Sequence, residues 1–369
     1  MGVSLAFGEL LAFSLARAHG PRAATVAAPS LRPYLGSVLR RVSNPPNPWR
    51  THEVDYLDEI PETRLEVFED KTRFILSRND ETLVGFTFGL NPYRGCQHAC
   101  AYCEARRRHE LLGFGAGTDF DSKIVVKPRA PELLRAAFEA RSWRGDVVVL
   151  SGATDCYQPL EASYRLTRQC LEVCAEYKNP VAIITKGALI ERDIDVLMRL
   201  HEVTRVTVSV SIPLWLPEHA RAVEPLVATP QRRIRIIQRL AEAGLDVGLS
   251  VAPLIPGLSE DGLGDLLAAA HAAGARRAVA SMLRLPRPVD VVFAERLQAT
   301  LPLRASRVLG RNDGAYARVL ESTFVAACRR LGLPCSPVGD DRVNTPPAGP
   351  QEARTFRRPP RAGDQGNLF

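Results

Sequence analysis

Asn91-Pro92-Tyr93-Arg94-Gly95-Cys96-Gln97-His98-Ala99-Cys100-Ala101-Tyr102-Cys103 sets three cysteines at C-x3-C-x2-C spacing, directly behind a strand-like run at residues 83–90. The spacing admits three readings. Positions 96, 100 and 103 are i, i+4 and i+7, the face of an amphipathic helix, which fits three buried core thiols. Pro92 and Gly95 oppose a helix running through the first cysteine, because both punctuate loops. With His98 or His109 as a fourth ligand the triad fits zinc, although structural zinc sites usually come as two cysteine pairs and no second C-x2-C occurs. Three thiolates also fit three irons of a cubane iron–sulfur cluster, whose fourth iron then stays open to a small molecule.

The chain around this stretch is long enough for one α/β barrel domain of about 200–250 residues plus appendages. Its 369 residues are 46% hydrophobic, which points to a globular protein, and no apolar run reaches membrane-spanning length. Net charge is +7, with arginine rich near both ends and at Arg106-Arg107-Arg108. That balance is compatible with a polyanionic partner such as DNA, but arginine is equally an ordinary solvated-face residue. The apolar stretch in the first twenty residues lacks a basic n-region and is interrupted by Glu9, so no export signal is read there. A cytoplasmic location is expected, with eight cysteines reduced and available to metal.

Beyond the cysteines the pattern alternates. Apolar strand candidates lie at 83–90, 146–150, 181–185, 205–212, 247–251 and 278–283, with helical patterns at about 160–177, 191–201, 229–243 and 259–273. Thr229-Pro230 and Ser259 read as helix starts, Gly244 and Gly274 as stops. Continuous apolar strands separated by helices indicate a parallel sheet with right-handed connections. Residues 65–80 add a short strand ahead of it, and 123–127 is a short β-branched run. Five segments are expected: an extension at 1–42 without structure, an arm at 43–82, a barrel at 83–290, a helical region at 291–334 and a disordered basic, Pro- and Gly-rich tail at 335–369.

Cys96, Cys100, Tyr102 and Cys103, with an aromatic before the last cysteine, resemble the signature of radical S-adenosylmethionine (SAM) enzymes. The wider context, NPYRGCQHACAYCEAR with SRND before it and TDCYQPLE after it, is similar to the branch related to spore photoproduct lyase. The resemblance covers about residues 43–290. It departs at Glu104, where those proteins often carry an aromatic. It implies an α/β fold of the partial, open (β/α)6 barrel type, with functional groups at the C-terminal ends of the strands. It also implies a 4Fe-4S cluster on Cys96, Cys100 and Cys103, SAM chelating the open iron, and reductive cleavage to a 5′-deoxyadenosyl radical. A flavodoxin or ferredoxin would supply the electron, and damaged DNA is the substrate by analogy. A non-enzymatic metal-binding module and a peptide- or protein-modifying enzyme remain the alternatives.

The same resemblance implies a seat for SAM. Tyr102 falls where adenine is seated, Gly152, Thr154 and Asp155 end the second strand near the methionine amino group, and Lys186 ends the third. Ser209 and Ser211 alternate on the fourth strand and so share a face. Glu224 and Arg233 lie in the family-like stretch EPLVATPQRRI, and Pro256-Gly257 resembles a turn bordering adenine. Cys156 is a candidate hydrogen-atom donor by its weak S–H bond, against the ordinary fate of free cysteine as a small buried hydrophobe. Cys170 and Cys174 are in helical phase with Leu166 and Tyr177, so packing accounts for them. The last five residues, Gln365 to Phe369, resemble the short Q-x-x-L-F peptide that docks repair proteins on the sliding clamp.

Overall fold

The computed structural model describes residues 39–42, 65–78, 87–310, 314–336 and 355–360. Its strands are β1 (Leu39–Val42), β2 (Glu66–Asp70), β3 (Leu76–Arg78), β4 (Phe88–Leu90), β5 (Tyr93–Arg94), β6 (Lys123–Val126), β7 (Val148–Leu150), β8 (Val181–Thr185), β9 (Val206–Ser211), β10 (Asp246–Leu254) and β11 (Ala278–Met282). The larger sheet has the order β3-β4-β7-β8-β9-β10-β11. β3 pairs antiparallel with β4, and every other neighbour is parallel. Its six parallel strands coincide with the six expected from sequence. β3 and β11 stay unpaired with each other, so the sheet has the open form of a partial (β/α)6 barrel.

Strand β9, VTVSVS, shows why both faces are buried. Val206, Val208 and Val210 turn into the main apolar core, while Thr207, Ser209 and Ser211 occupy the opposite face. The helix Pro230–Glu242 starts as expected. The Thr229 hydroxyl accepts from the Arg232 amide, Pro230 takes the first turn, and Ile236, Ile237 and Leu240 pack inward. Gly244 ends it at φ +89°.

Several expectations are corrected. The helix expected at 160–177 is two, Glu161–Tyr164 and Leu166–Glu176, broken where Arg165 turns left-handed. Ser259 does not start a helix: its hydroxyl accepts from the Ile255 amide and donates to the Pro213 carbonyl, and the helix begins at Leu263. Leu39–Val42, assigned to a structureless extension, pairs antiparallel with β2. Lys123–Val126 does not join the barrel but completes a second sheet, β1-β2-β6-β5. The tail is not featureless either, since Thr355–Pro360 lies against the barrel's helices, with Phe356 on Phe138 and Tyr177. The helices at Val289–Thr300, Pro302–Gly310 and Gly314–Leu331 fill the helical region expected there.

Candidate active site

The cysteine loop leaves β4 and is fixed on three sides. Gly95 sits at φ +76°, and a Cβ there would lie 3.0 Å from the Phe120 carbonyl, the Lys123 carbonyl and Ile124 Cδ1, so only glycine fits without displacing backbone. The Cys96 amide donates to the Phe120 carbonyl at 3.0 Å. Gln158 clamps the turn, donating to the Gly95 carbonyl (3.1 Å) and accepting from the Gln97 amide (3.1 Å). The Ala101 amide donates to the Val223 carbonyl at 2.8 Å, tying the loop to the segment after β9.

Cys96 and Cys100 are buried and Cys103 is partly exposed. Burial pushes all three thiols up, Asp155 adding to this at Cys96 and Arg106 opposing it at Cys103. Among the described residues no three His, Cys, Asp or Glu side chains converge closely enough to enclose a single metal ion. Each histidine is already paired through one ring nitrogen. His98 Nδ1 faces Asp155 Oδ2 at 3.3 Å, and His109 Nε2 pairs with the Asp119 carbonyl at 3.2 Å between the rings of Phe114 and Phe120. A polynuclear cluster fits the donor set better, because it asks for thiolates spaced around a larger core. Gln97 Oε1, in the same loop, is buried without a hydrogen-bond partner, as expected of a wall built to face a bound group.

The strand ends converge on this loop. Lys186, after β8, donates from Nζ to Ser211 Oγ at 2.6 Å and lies 3.8 Å from Glu224 Oε1. Glu224 accepts from the Tyr102 hydroxyl and pairs with Arg233 at 2.6 Å, both partners of that ion pair being wholly buried. Burial works to raise the Glu224 pKa, but Arg233 and Lys186 overcome it and hold the carboxyl below its usual range. Arg233 also donates to the Ser211 carbonyl at 2.7 Å. Tyr102, Lys186, Ser211, Glu224 and Arg233 therefore form one connected network.

Asp155 belongs to the same edge. It accepts from the Lys186 amide (2.7 Å), the Thr185 hydroxyl (2.7 Å) and the Tyr157 amide (2.9 Å). Burial would raise its pKa, yet His98 and these donors bring it to about 2. Thr154 donates to the Tyr93 carbonyl at 2.8 Å, so it braces the cysteine loop. Gly152 is exposed at the turn, and Ser209 is buried one pleat deeper than Ser211.

A cavity of about 210 Å³ opens beside the third cysteine, lined by Tyr102, Cys103, Glu104, Ala252, Pro253 and residues 281–284 at the C-terminal end of β11. Pro256 and Gly257 do not line it. The Gly257 amide donates to the Glu260 carboxylate, and its α-carbon packs toward Val308. Cys156 is 1% exposed and sits in the main core, its amide donating to Ser151 Oγ and its carbonyl accepting from Thr167. Cys170 and Cys174 are core residues, as expected. Sequence reasoning missed Gln158 and Arg106. Of the run Arg106-Arg107-Arg108 only Arg107 and Arg108 are exposed. The available signal was helical phase, since Arg106 stands three residues after Cys103.

Residues 90–270 match the Radical SAM superfamily. The uncharacterized protein Rv2578c of Mycobacterium tuberculosis is 41% identical over 192 residues, covering 52% of this chain and 56% of that protein. The uncharacterized protein MJ0683 of Methanocaldococcus jannaschii is 26% identical over 196 residues, covering 53% of this chain and 70% of that protein. The chain thus spans little more than half the length of the mycobacterial relative. Among solved structures, spore photoproduct lyase complexed with dinucleoside spore photoproduct aligns with a TM-score of 0.55 at 16% identity, over 73% of this chain and 80% of that one. Among the described residues no helix is long and apolar enough to cross a membrane.

Proposed function

Because residues 90–270 form a radical SAM domain, we propose that this protein is a radical SAM enzyme holding a 4Fe-4S cluster on Cys96, Cys100 and Cys103. Held there, the cluster would supply SAM with one electron for reductive cleavage of its C5′–S bond, methionine leaving with the sulfur. The observation that carries this reading is the position of the buried cysteine loop at the C-terminal strand edge, where Lys186, Ser211 and Glu224 meet beside it. Lys186 offers the cation for the SAM carboxylate, with Ser211 and Glu224 fixing its ammonium in place. The cavity beside Tyr102 and Cys103 suits the adenosyl end. Glu224 and Arg233 act at one remove, through the bonds of this pair to Tyr102, Lys186 and the Ser211 carbonyl.

A flavodoxin or ferredoxin is the proposed electron donor. The substrate class we infer is nucleic acid carrying a damaged base. This draws support from the net charge of +7 and the fold shared with spore photoproduct lyase. Anaerobically reconstituted protein should be brown, contain iron and sulfide, and release 5′-deoxyadenosine from SAM when given dithionite. Cys100→Ala should abolish the release. Intact cluster without cleavage sinks the enzymatic reading, and colourless protein with stoichiometric zinc favours a metal-binding module instead. Irradiated DNA should accelerate turnover or have its bases restored; no effect of DNA leaves the radical chemistry standing and removes the substrate.

A further inference from the structure

The best-satisfied side chain around the cysteine loop touches neither the cavity nor the Lys186 network. Arg106 is wholly buried. Its Nε donates to the Cys100 carbonyl at 2.9 Å, one terminal nitrogen donates to the carbonyls of Ala116 (2.8 Å) and Gly117 (2.9 Å), and the other pairs with Asp121 Oδ1 at 2.7 Å. The guanidinium also lies 4.7 Å from the centre of the Phe120 ring. One planar fork thus joins the middle of the cysteine loop to the segment that closes over it, a task lysine's single point of charge does not match.

We propose that Arg106 is a positioning residue with an electrostatic role. As a buried cation beside Cys100 and Cys103 it raises the potential at which a cluster on those thiols accepts its electron, and Asp121 opposes it. The inference rests on the cluster assigned above. A reduced cluster carries one more negative charge than an oxidised one, so a fixed cation in a dry site favours the reduced form and a fixed anion disfavours it. Arg106 bonds the Cys100 carbonyl directly through Nε while the Asp121 carboxylate meets a terminal nitrogen of the guanidinium, and on this proposal the cation lies nearer the thiols than the anion. Their effects therefore do not cancel.

The test is an EPR-monitored redox titration of anaerobically reconstituted full-length protein and three variants at pH 8. Arg106→Met should make reduction about tenfold less favourable, a midpoint lower by about 59 mV for a one-electron couple. Asp121→Asn, which keeps an oxygen acceptor for the guanidinium, should move the midpoint upward. Arg106→Lys should fall near the parent protein. Loosening of the loop alone would shift both charge-removing variants in one direction, so opposite signs support the proposal. Shifts of the same sign, or midpoints that do not move, overturn it. If Arg106→Met fails to retain iron, Asp121→Asn decides, and an unchanged or lowered midpoint there is equally fatal. Parent protein that takes up no iron and sulfide overturns the cluster assignment itself, a result distinguishable from the others.

Discussion

Arg106 and His109 share one short helix and are both buried, yet only the arginine carries charge there. Burial among Phe114 and Phe120 is the largest influence on His109 and brings its pKa from 6.5 to about 4, against the pull of the Asp119 carbonyl. The neutral ring is therefore the folded form at neutral pH, with Nε2 donating to Asp119 O. The linkage has a definite sign. Between pH 6.5 and 4 the unfolded chain binds a proton that the folded chain refuses, so this contribution is whole above pH 6.5 and is lost as pH falls toward 4. By pH 4 the loss amounts to about 3 kcal/mol. His109→Phe cannot titrate. In urea unfolding, its stability relative to the parent should rise by about that much between pH 7 and pH 4. A difference that stays constant over this range would show that His109 is not buried as neutral imidazole.

At the scale of the element, the cysteine loop is a backbone object before it is a chemical one. Gly95→Ala adds a methyl against two carbonyls at a left-handed φ, which costs about 1–2 kcal/mol for the dihedral alone. One of those carbonyls, Phe120 O, also accepts from the Cys96 amide. The variant should therefore unfold at lower urea and bind less iron per chain after reconstitution; full iron content with parental stability would contradict the geometry. This loop was legible in the sequence because proline, glycine and cysteine spacing are local signals. The six parallel strands were legible for a related reason, since continuous apolar runs between helical patterns need no knowledge of their neighbours. What was not legible depends on distant partners or silent dihedrals. Arg165 breaks a helix without a glycine to announce it. Residues 123–126 look like any short β-branched run until β2 and β5 are placed on either side of them. Tyr102, Lys186 and Ser211 were placed together from the family resemblance, whereas the fork of Arg106 had no such guide.

Over the whole molecule, the tail shows composition being overridden by docking. A Pro- and Arg-rich segment has too little apolar surface to fold alone, but Thr355–Pro360 borrows a surface already built. Phe356 stacks on Tyr177 at 6.3 Å and meets Phe138 edge-on at 5.9 Å. It presses so close to Gly145 that a Cβ there would stand 2.4 Å from its own. Around the ring, the Arg357 amide donates to the Tyr177 carbonyl, Arg358 donates to the carbonyls of Phe138 and Ala140, and Thr355 meets Thr204 and the Lys178 carbonyl. These carbonyls lie at the ends of the helices Ala130–Glu139 and Leu166–Glu176, where backbone acceptors lack intrahelical partners. The polar contacts are thus positioned by the aromatic one, and removing the ring should release the whole segment. Phe356→Ala should cost about 2 kcal/mol of stability, below the range for a fully enclosed phenylalanine because the ring is half-buried. Trypsin should then cut the Arg357–Arg358 bond several-fold faster while circular dichroism of the barrel stays unchanged. If cleavage instead keeps the parental rate, the arginine and threonine bonds hold the segment without the ring, and the order of cause argued here is reversed.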